Sequence, residues 1–226
     1  MSKESNWLYD FRTDIRVAQH GEEGVIAKIF EVLPPKNKYC VEFGAWDGLN
    51  FSNTYLLIKE HGWSSVQIEP NGDRFPILKE RFAEDPVICL QREVGFKPGT
   101  RLDEILKELP VPKDFDLLFI DIDGYDYQTW EAFVDYRPRV VCIEFNPLLG
   151  HAFHIQRVPP VTGTGSSLKA VTSLGKVKGY ELIAVIGNTL GINAFFVLKE
   201  DFALFDIEDN DFARYIDEDG NWPQKG

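Results

Sequence analysis

The sequence predicts an α/β fold: a doubly wound, mostly parallel sheet with an antiparallel hairpin strand at its C-terminal end. Three observations predict it. Short apolar runs alternate with segments of helical periodicity over most of the 226 residues, the pattern of repeated strand–helix–strand units. The first complete run, Tyr39, Cys40 and Val41, ends on Glu42 and is followed by a turn containing Gly44 and Gly48; in open α/β sheets, ligands bind beyond such strand ends. The last two runs, YELIAVI from Tyr180 and NAFFVL from Asn193, are joined by a short glycine-containing connection, which makes a hairpin.

The elements follow in order. Glu22 to Leu33 places Val25, Ile26, Ile29, Phe30 and Leu33 at helical spacing, after His20-Gly21 and before Pro34-Pro35, so a helix starts and stops there. Strand one follows. Ser52 to Glu60 is the first crossover helix, with Asn50 or Ser52 as its cap. Trp63 to Ile68 is strand two, closed by Glu69-Pro70, and Asp73 to Phe82 is the next helix. Pro86 to Gln91 is strand three. Thr100 to Leu109 carries Leu102, Ile105, Leu106 and Leu109 on one helical face. Phe115 to Ile122 is strand four, Asp126 to Val134 a helix with Trp130 and Phe133, and Arg139 to Phe145 strand five. Ser167 to Lys178 is a helix capped by Ser166 or Ser167. The organisation is an N-terminal extension over residues 1–21, one domain over 22–200 with a substrate or lid loop at 148–166, and an acidic tail over 201–226.

Composition narrows the function classes. A chain of 226 residues, 44% hydrophobic and 27% charged, suffices for one soluble α/β domain with a sizeable core. The net charge of −12 disfavours phosphate backbones, so no nucleic-acid partner is expected. No apolar span of membrane-crossing length and no signal-peptide core are read; the expectation is a cytoplasmic protein with no membrane partner. Cys40, Cys89 and Cys142 lie scattered in apolar strands, which reads as buried thiols rather than a metal or disulfide framework.

The turn after strand one identifies its ligand class. Glu42-Phe43-Gly44-Ala45-Trp46-Asp47-Gly48 is not G-x-G-x-x-G, nor does it end in the G-K-[ST] of a phosphate loop. An acid just before the glycines repels a pyrophosphate and suits a ligand with a cationic group. Glu69 follows some twenty residues on, where a βαβ unit of this kind places the carboxylate that holds a ribose; the plainer alternative is an ordinary acid preceding a helix. On these residues the chain resembles the class I S-adenosylmethionine-dependent methyltransferases. Their first motif is an acidic-x-Gly-x-x-x-Gly or acidic-x-Gly-x-Gly turn, and their sheet ends in a reversed, inserted strand. The resemblance runs from about Glu22 to about Lys199. It implies a Rossmann-like sheet and S-adenosyl-L-methionine as cofactor. The cofactor contacts it implies are Glu42, Phe43, Gly44, Ala45, Gly48, Glu69, Pro70 and Asp121, with Arg92 and Glu93 flanking the adenine. Within that class, IDIDGYDY, IEFNP, GINAFFV and the N-terminal Gln19-His20-Gly21-Glu22-Glu23-Gly24 are similar to the FkbM-type group. That group implies methyl transfer to a hydroxyl of a saccharide or small natural product.

The chemistry is expected beyond strands four and five. Asp121, Asp123 and Asp126 crowd the end of strand four, and Glu144 and Asn146 the end of strand five. Two roles are open. Asp121, Asp123, Glu144 and Asn146 offer oxygen ligands to a hard cation such as Mg2+, Mn2+ or Fe2+, which lowers the pKa of an acceptor hydroxyl. Alternatively one carboxylate, Asp121 foremost, is a general base. Metal-dependent catechol-type O-methyltransferases carry an adjacent Asp-Asn pair after strand five; here the pair is split as Glu144-Phe145-Asn146. His151 and His154 on the 148–166 loop are the further base candidates. The TGTGSS run lacks the strand and lysine of a phosphate site and reads as a turn into the next helix. The expected partner is a small-molecule or saccharide acceptor, and a homo-oligomer is compatible with the sequence. A non-catalytic binding module, an N- or carboxyl-methyltransferase and a Rossmann-like oxidoreductase are the other readings. The missing G-x-G-x-x-G and the terminal hairpin count against the last.

Overall fold

The computed structural model describes residues 6–13, 17–122, 124–157, 165–188 and 191–216. Its strands are β1 Tyr39–Phe43, β2 Ser64–Ile68, β3 Val87–Leu90, β4 Leu117–Ile120, β5 Val140–Phe145, β6 Tyr180–Asn188 and β7 Gly191–Leu198. They form one seven-stranded sheet in the order β3-β2-β1-β4-β5-β7-β6. The first five pair in parallel. The β7 strand runs antiparallel to both β5 and β6 and lies between them, which is the reversed, inserted strand expected. The order reverses at β1 and β4, and that switch point opens the crevice where α/β sheets bind ligands.

Six helices cover the two faces: α1 Glu22–Val32, α2 Tyr55–His61, α3 Phe75–Arg81, α4 Leu102–Leu106, α5 Asp126–Ala132 and α6 Leu168–Val177. Successive strand residues point to opposite faces, so β4 divides its side chains. Leu118 and Ile120 join Trp130, Val171 and Phe196 on the face of α4, α5 and α6. Leu117 and Phe119 join Ile26, Ile29, Leu57 and Leu78 on the face of α1, α2 and α3. Both faces are buried, as the continuous apolar runs require.

The helices α1 and α5 begin where expected, at Glu22 and Asp126, whereas α2 and α3 begin two or three residues late because side chains fix the residues before them. Ser52 is not the first residue of α2. Its hydroxyl donates to Glu42 and accepts from the Tyr55 N–H at 3.2 Å, holding residues 52–54 out of the helix. Before α3, the Asn71 Oδ1 accepts from the N–H groups of Asp73 and Arg74, so those residues form an Asx turn. Ser167 is the N-cap of α6, accepting from the Ala170 N–H at 3.2 Å.

The first and last described segments close over this frame. Leu8, in a 3-10 turn over Trp7–Phe11, is fully buried, and the Trp7 indole donates to the Phe205 carbonyl at 3.0 Å. The Asn6 amide pairs with both backbone groups of Val185, donating at 3.1 Å and accepting at 3.0 Å. Phe205, Ile207, Tyr215 and Ile216 are buried in the core. At the N-terminal edge of the sheet, the buried Asp116 accepts from the N–H groups of Lys36, Asn37 and Lys38 at 2.7, 2.8 and 2.7 Å. The Arg139 guanidinium completes its shell at 3.3 Å.

Candidate functional site

Alternation along the strands decides which side chains meet at the C-terminal edge. Cys40, Phe119, Cys142 and Phe195 lie on the face of α1 to α3, so Glu42, Asp121 and Glu144, two residues further on, and Asn193, two residues earlier in the reversed β7, lie toward that same face at the C-terminal edge. Glu144 and Asn193 are direct cross-strand partners. From α1, the buried Glu22 accepts from the Asn193 amide at 3.1 Å. Carboxylate oxygens of Asp121, Asp126 and Glu144 lie within 4.8 Å of one another. Asp126 also folds the connection between β4 and α5, accepting from the N–H groups of Ile122 and Gly124 at 2.9 Å each.

The glycine turn is built against this cluster. Gly44 has φ +74°, and a Cβ there would lie 2.2 Å from the Asp121 carbonyl oxygen. Gly48, also at φ +74°, would drive a Cβ into the Phe82 and Leu78 side chains at 2.6 and 2.7 Å. Both glycines therefore serve the sharp turn that their spacing suggests, and the close approach they permit is to the chain's own β4 loop and α3. Asp47 caps the turn by accepting from the Leu49 and Asn50 N–H groups. Burial raises the Asp47 carboxyl, but these hydrogen bonds outweigh it and hold the group below its usual range. The Arg81 guanidinium donates to the Asp47 carbonyl at 2.7 Å.

Glu42 and Glu69 brace this turn from two sides. Glu42 is 4% exposed and accepts from the Ser52 hydroxyl and Asn53 N–H at 2.9 Å and from the Thr54 hydroxyl at 2.5 Å. Its hydrogen bonds thus run to the start of α2, and desolvation raises its carboxyl above the ordinary value against those bonds. Glu69, likewise 4% exposed, accepts from the Trp46 N–H at 2.8 Å and the Asn71 N–H at 2.7 Å. It ties the loop after β1 to the loop after β2. Each oxygen keeps a second lone pair for a ligand donor.

The other expected site residues divide clearly. Phe43 and Ala45 are buried, Phe43 within the core beneath the turn. Pro70, Arg92 and Glu93 are exposed beyond β2 and β3, and Arg92 pairs with Glu108 at 2.9 Å. Asn146 caps a short 3-10 turn, its side chain accepting from the Leu148 N–H at 2.9 Å. Asp123 lies outside the described residues. His151 and His154 are exposed. His151 meets the Phe212 ring at 6.2 Å. His154 is tied through its backbone to Ser167, and the loop's described part runs beside residues 165–167. Among the described residues neither histidine enters the carboxylate group. Sequence reasoning did not assign Asp126 to that group, nor Glu22 and Asn193 to the edge. Asp126 was visible as the third acid of IDIDGYDY; Glu22 and Asn193 become neighbours only through the placement of α1 over β7. The Cys40 and Cys142 thiols are buried and Cys89 is half-buried; burial pushes Cys40 up to about 12 and Cys89 up to about 11.

Three clustered carboxylates can take a proton or hold a hard divalent cation, whose ligands are oxygens. The donor set fits such a cation in type and sign, with Asp126 already holding two backbone N–H groups.

No family profile and no curated protein matches the sequence. Solved structures do resemble the chain. The N-terminal domain of EvdMO1 with SAH bound is 10% identical, with TM-score 0.49, over 80% of this chain and 81% of that one. Magnesium protoporphyrin IX methyltransferase (ChlM) from Synechocystis PCC 6803 with bound SAM is 10% identical, with TM-score 0.49, over 85% and 88%. A SAM-dependent methyltransferase from Aquifex aeolicus is 14% identical, with TM-score 0.46, over 76% and 88%. At these values the likeness concerns the fold alone, and the fold stands on the strand order and register. No helix among the described residues is long and apolar enough to cross a membrane.

Proposed function

We infer that the protein is an S-adenosylmethionine-dependent O-methyltransferase acting on a hydroxyl of a small or saccharide acceptor. One observation carries this reading: Asp121, Asp126 and Glu144 gather within 4.8 Å at the switch point of the sheet, and the Gly44 turn packs directly on Asp121. Within the class, the IDIDGYDY, IEFNP and GINAFFV segments favour the FkbM-type group.

The bound cofactor supplies an electrophilic methyl group on a positively charged sulfur. The chain's task is to orient the acceptor in line with it and to exclude water; positioning of this kind lowers a barrier by roughly 7–11 kcal/mol. In this reading the turn from Gly44 to Gly48 cradles the cofactor, Glu69 takes the ribose hydroxyls, and the exposed Arg92 and Glu93 flank the base. Asp121 accepts the acceptor's hydroxyl proton, for a contribution of about 10²–10⁴-fold, with Asp126 and Glu144 beside it. The same three carboxylates are the ligands a divalent cation would use, and that ion would lower the pKa of the acceptor hydroxyl.

Calorimetric titration with S-adenosylhomocysteine, with and without Mg2+, Mn2+ or Fe2+, tests the reading. Micromolar affinity is the expected result, and a metal-dependent change in it supports the carboxylates as ligands. No binding under any of these conditions overturns it.

A further inference from the structure

The connection from β5 to α6 carries a cavity of about 410 Å³, lined by Phe153, His154, Ile155, Gln156 and Arg157. Its volume lies within the range of small-molecule sites. Among the described residues no acid lines it. The lining is apolar at Phe153 and Ile155 and cationic at Arg157. Phe153 is 56% exposed, and Arg157 is exposed as well, so both side chains are open to a ligand.

The backbone of this wall is held in place. The His154 N–H donates to the Ser167 hydroxyl at 3.0 Å, and the His154 carbonyl accepts from the Ser167 N–H at 2.9 Å. The Gln156 N–H donates to the Ser166 hydroxyl at 3.2 Å, and the Gln156 carbonyl accepts from the Gln128 side chain on α5. The connection leaves β5 just after Glu144, and Gln128 lies two residues beyond Asp126. The cavity wall thus runs from one member of the carboxylate cluster to the helix that carries another.

Arg157 sets this cavity apart. The chain has 36 acids against 24 Lys and Arg, and Arg92, Arg101, Arg137, Arg139 and Arg214 each meet a carboxylate within 3.3 Å. Among the described residues no carboxylate, hydrogen-bond acceptor or ring holds the Arg157 guanidinium. Burial raises the Tyr127 phenol on α5, Glu131 adds to that rise, and the Arg157 charge opposes it. Glu131 neither pairs with Arg157 nor lines the cavity. A guanidinium presents a planar fork of N–H donors that matches a carboxylate or a phosphate in two parallel hydrogen bonds. An exposed fork without an internal partner, beside two apolar side chains, fits an anion with an apolar body.

We propose that this cavity binds a small organic oxyanion, a carboxylate or a phosphate, with an apolar body. The oxyanion takes the Arg157 fork, and the body packs on Phe153 and Ile155. The site depends on the fold and not on the methyl-transfer reading, which stands or falls on the cofactor titration alone.

The test is calorimetric titration of the full chain with benzoate and with phenyl phosphate, using benzyl alcohol and benzylammonium as neutral and cationic probes of similar shape. At least one oxyanion is expected to bind saturably, at least about tenfold tighter than the alcohol, with no benzylammonium binding; charge-assisted hydrogen bonds account for that factor. The tighter of the two tells carboxylate from phosphate. Arg157→Gln removes the charge and should weaken that oxyanion at least about tenfold. Phe153→Ala keeps the charge and removes the apolar wall, and should weaken it at least about fourfold, the equivalent of one CH₂ group lost from contact. Both side chains are exposed, so both variants should keep the wild-type melting temperature. Absence of saturable oxyanion binding, equal binding of benzyl alcohol, or unchanged binding by either variant would each overturn the proposal.

Discussion

The strand β4 is bracketed by two aspartates that have opposite surroundings. Asp116 precedes it at the N-terminal edge, fully buried, its oxygens taken by three backbone N–H groups and Arg139. Asp121 follows it at the C-terminal edge, half-buried, with Asp126 and Glu144 gathered within 4.8 Å. The same residue type thus meets backbone donors at one end of the strand and a gathering of carboxylates at the other. Donors around a carboxylate hold the chain together. Carboxylates gathered together are a place where a proton or a cation is favoured. The parallel sheet has a braced end and an end where carboxylates gather, and these two residues mark them.

Exchanging the roles experimentally is the sharpest way to break this contrast. The largest effect is expected from Asp121→Asn, which should reduce methyl transfer by about 10²–10⁴-fold while leaving S-adenosylhomocysteine affinity and the melting temperature near wild type. An active variant would remove Asp121 from the mechanism. Asp116→Ala should do the reverse. It leaves three backbone N–H groups without their acceptor, while Arg139 keeps the Pro34 carbonyl and Asp201, for a loss of about 3–5 kcal/mol in denaturant unfolding. Cofactor affinity in the folded fraction should be unchanged, and a stability loss near zero would refute the brace assignment.

Glu69 stands between the two cases, since it both braces and is assigned to the ribose. Glu69→Ala should weaken S-adenosylhomocysteine at least about tenfold, from two lost charge-assisted hydrogen bonds of roughly 1.5–3 kcal/mol each. Unchanged affinity would leave it the brace alone. Glu42 tests the same question through pH. Its carboxyl is raised by burial, so the folded state binds that proton more tightly than the unfolded chain. Its contribution to stability is then full at low pH and falls as pH rises from about 4.5 toward the folded value. Glu42→Gln should flatten that fall when unfolding free energy is measured from pH 4 to 7; a variant with the wild-type slope would show that Glu42 is ionised in the fold at no cost. The smallest effect, about 1 kcal/mol, is expected from Ser167→Ala at the α6 cap, and is read by thermal melting.

Much of this architecture was legible before any coordinates. Apolar runs of strand length and amphipathic helical stretches leave few ways to fold, and Gly187 to Gly191 joins two runs too closely for anything but a hairpin. The roles of individual acids were less legible. Glu42, Asp47, Glu69 and Asp116 each hold backbone N–H groups, whereas Asp121 and Glu144 meet other acids, and no local pattern separates the two groups. Hydrogen-bond partners are chosen by where distant loops arrive: Asn53 comes to Glu42 and Lys36 to Asp116 only once the sheet is assembled. Asn193 shows the same limit. Its neighbours in sequence are apolar, and its partner Glu22 is 171 residues away.

The pairing of Asn6 with Val185 bears on how copies of this protein behave toward one another. The nine-residue β6 is one rim of the sheet, and a long rim with free backbone groups is a template for strand addition by another molecule. A single asparagine side chain donates and accepts at the middle of that rim as a neighbouring strand would. It interrupts the ladder that an incoming strand needs. The opposite rim, β3, is only four residues long. Intermolecular sheet growth is therefore blocked at one side by an amide and starved at the other by length, so the N-terminal segment serves colloidal stability as well as packing.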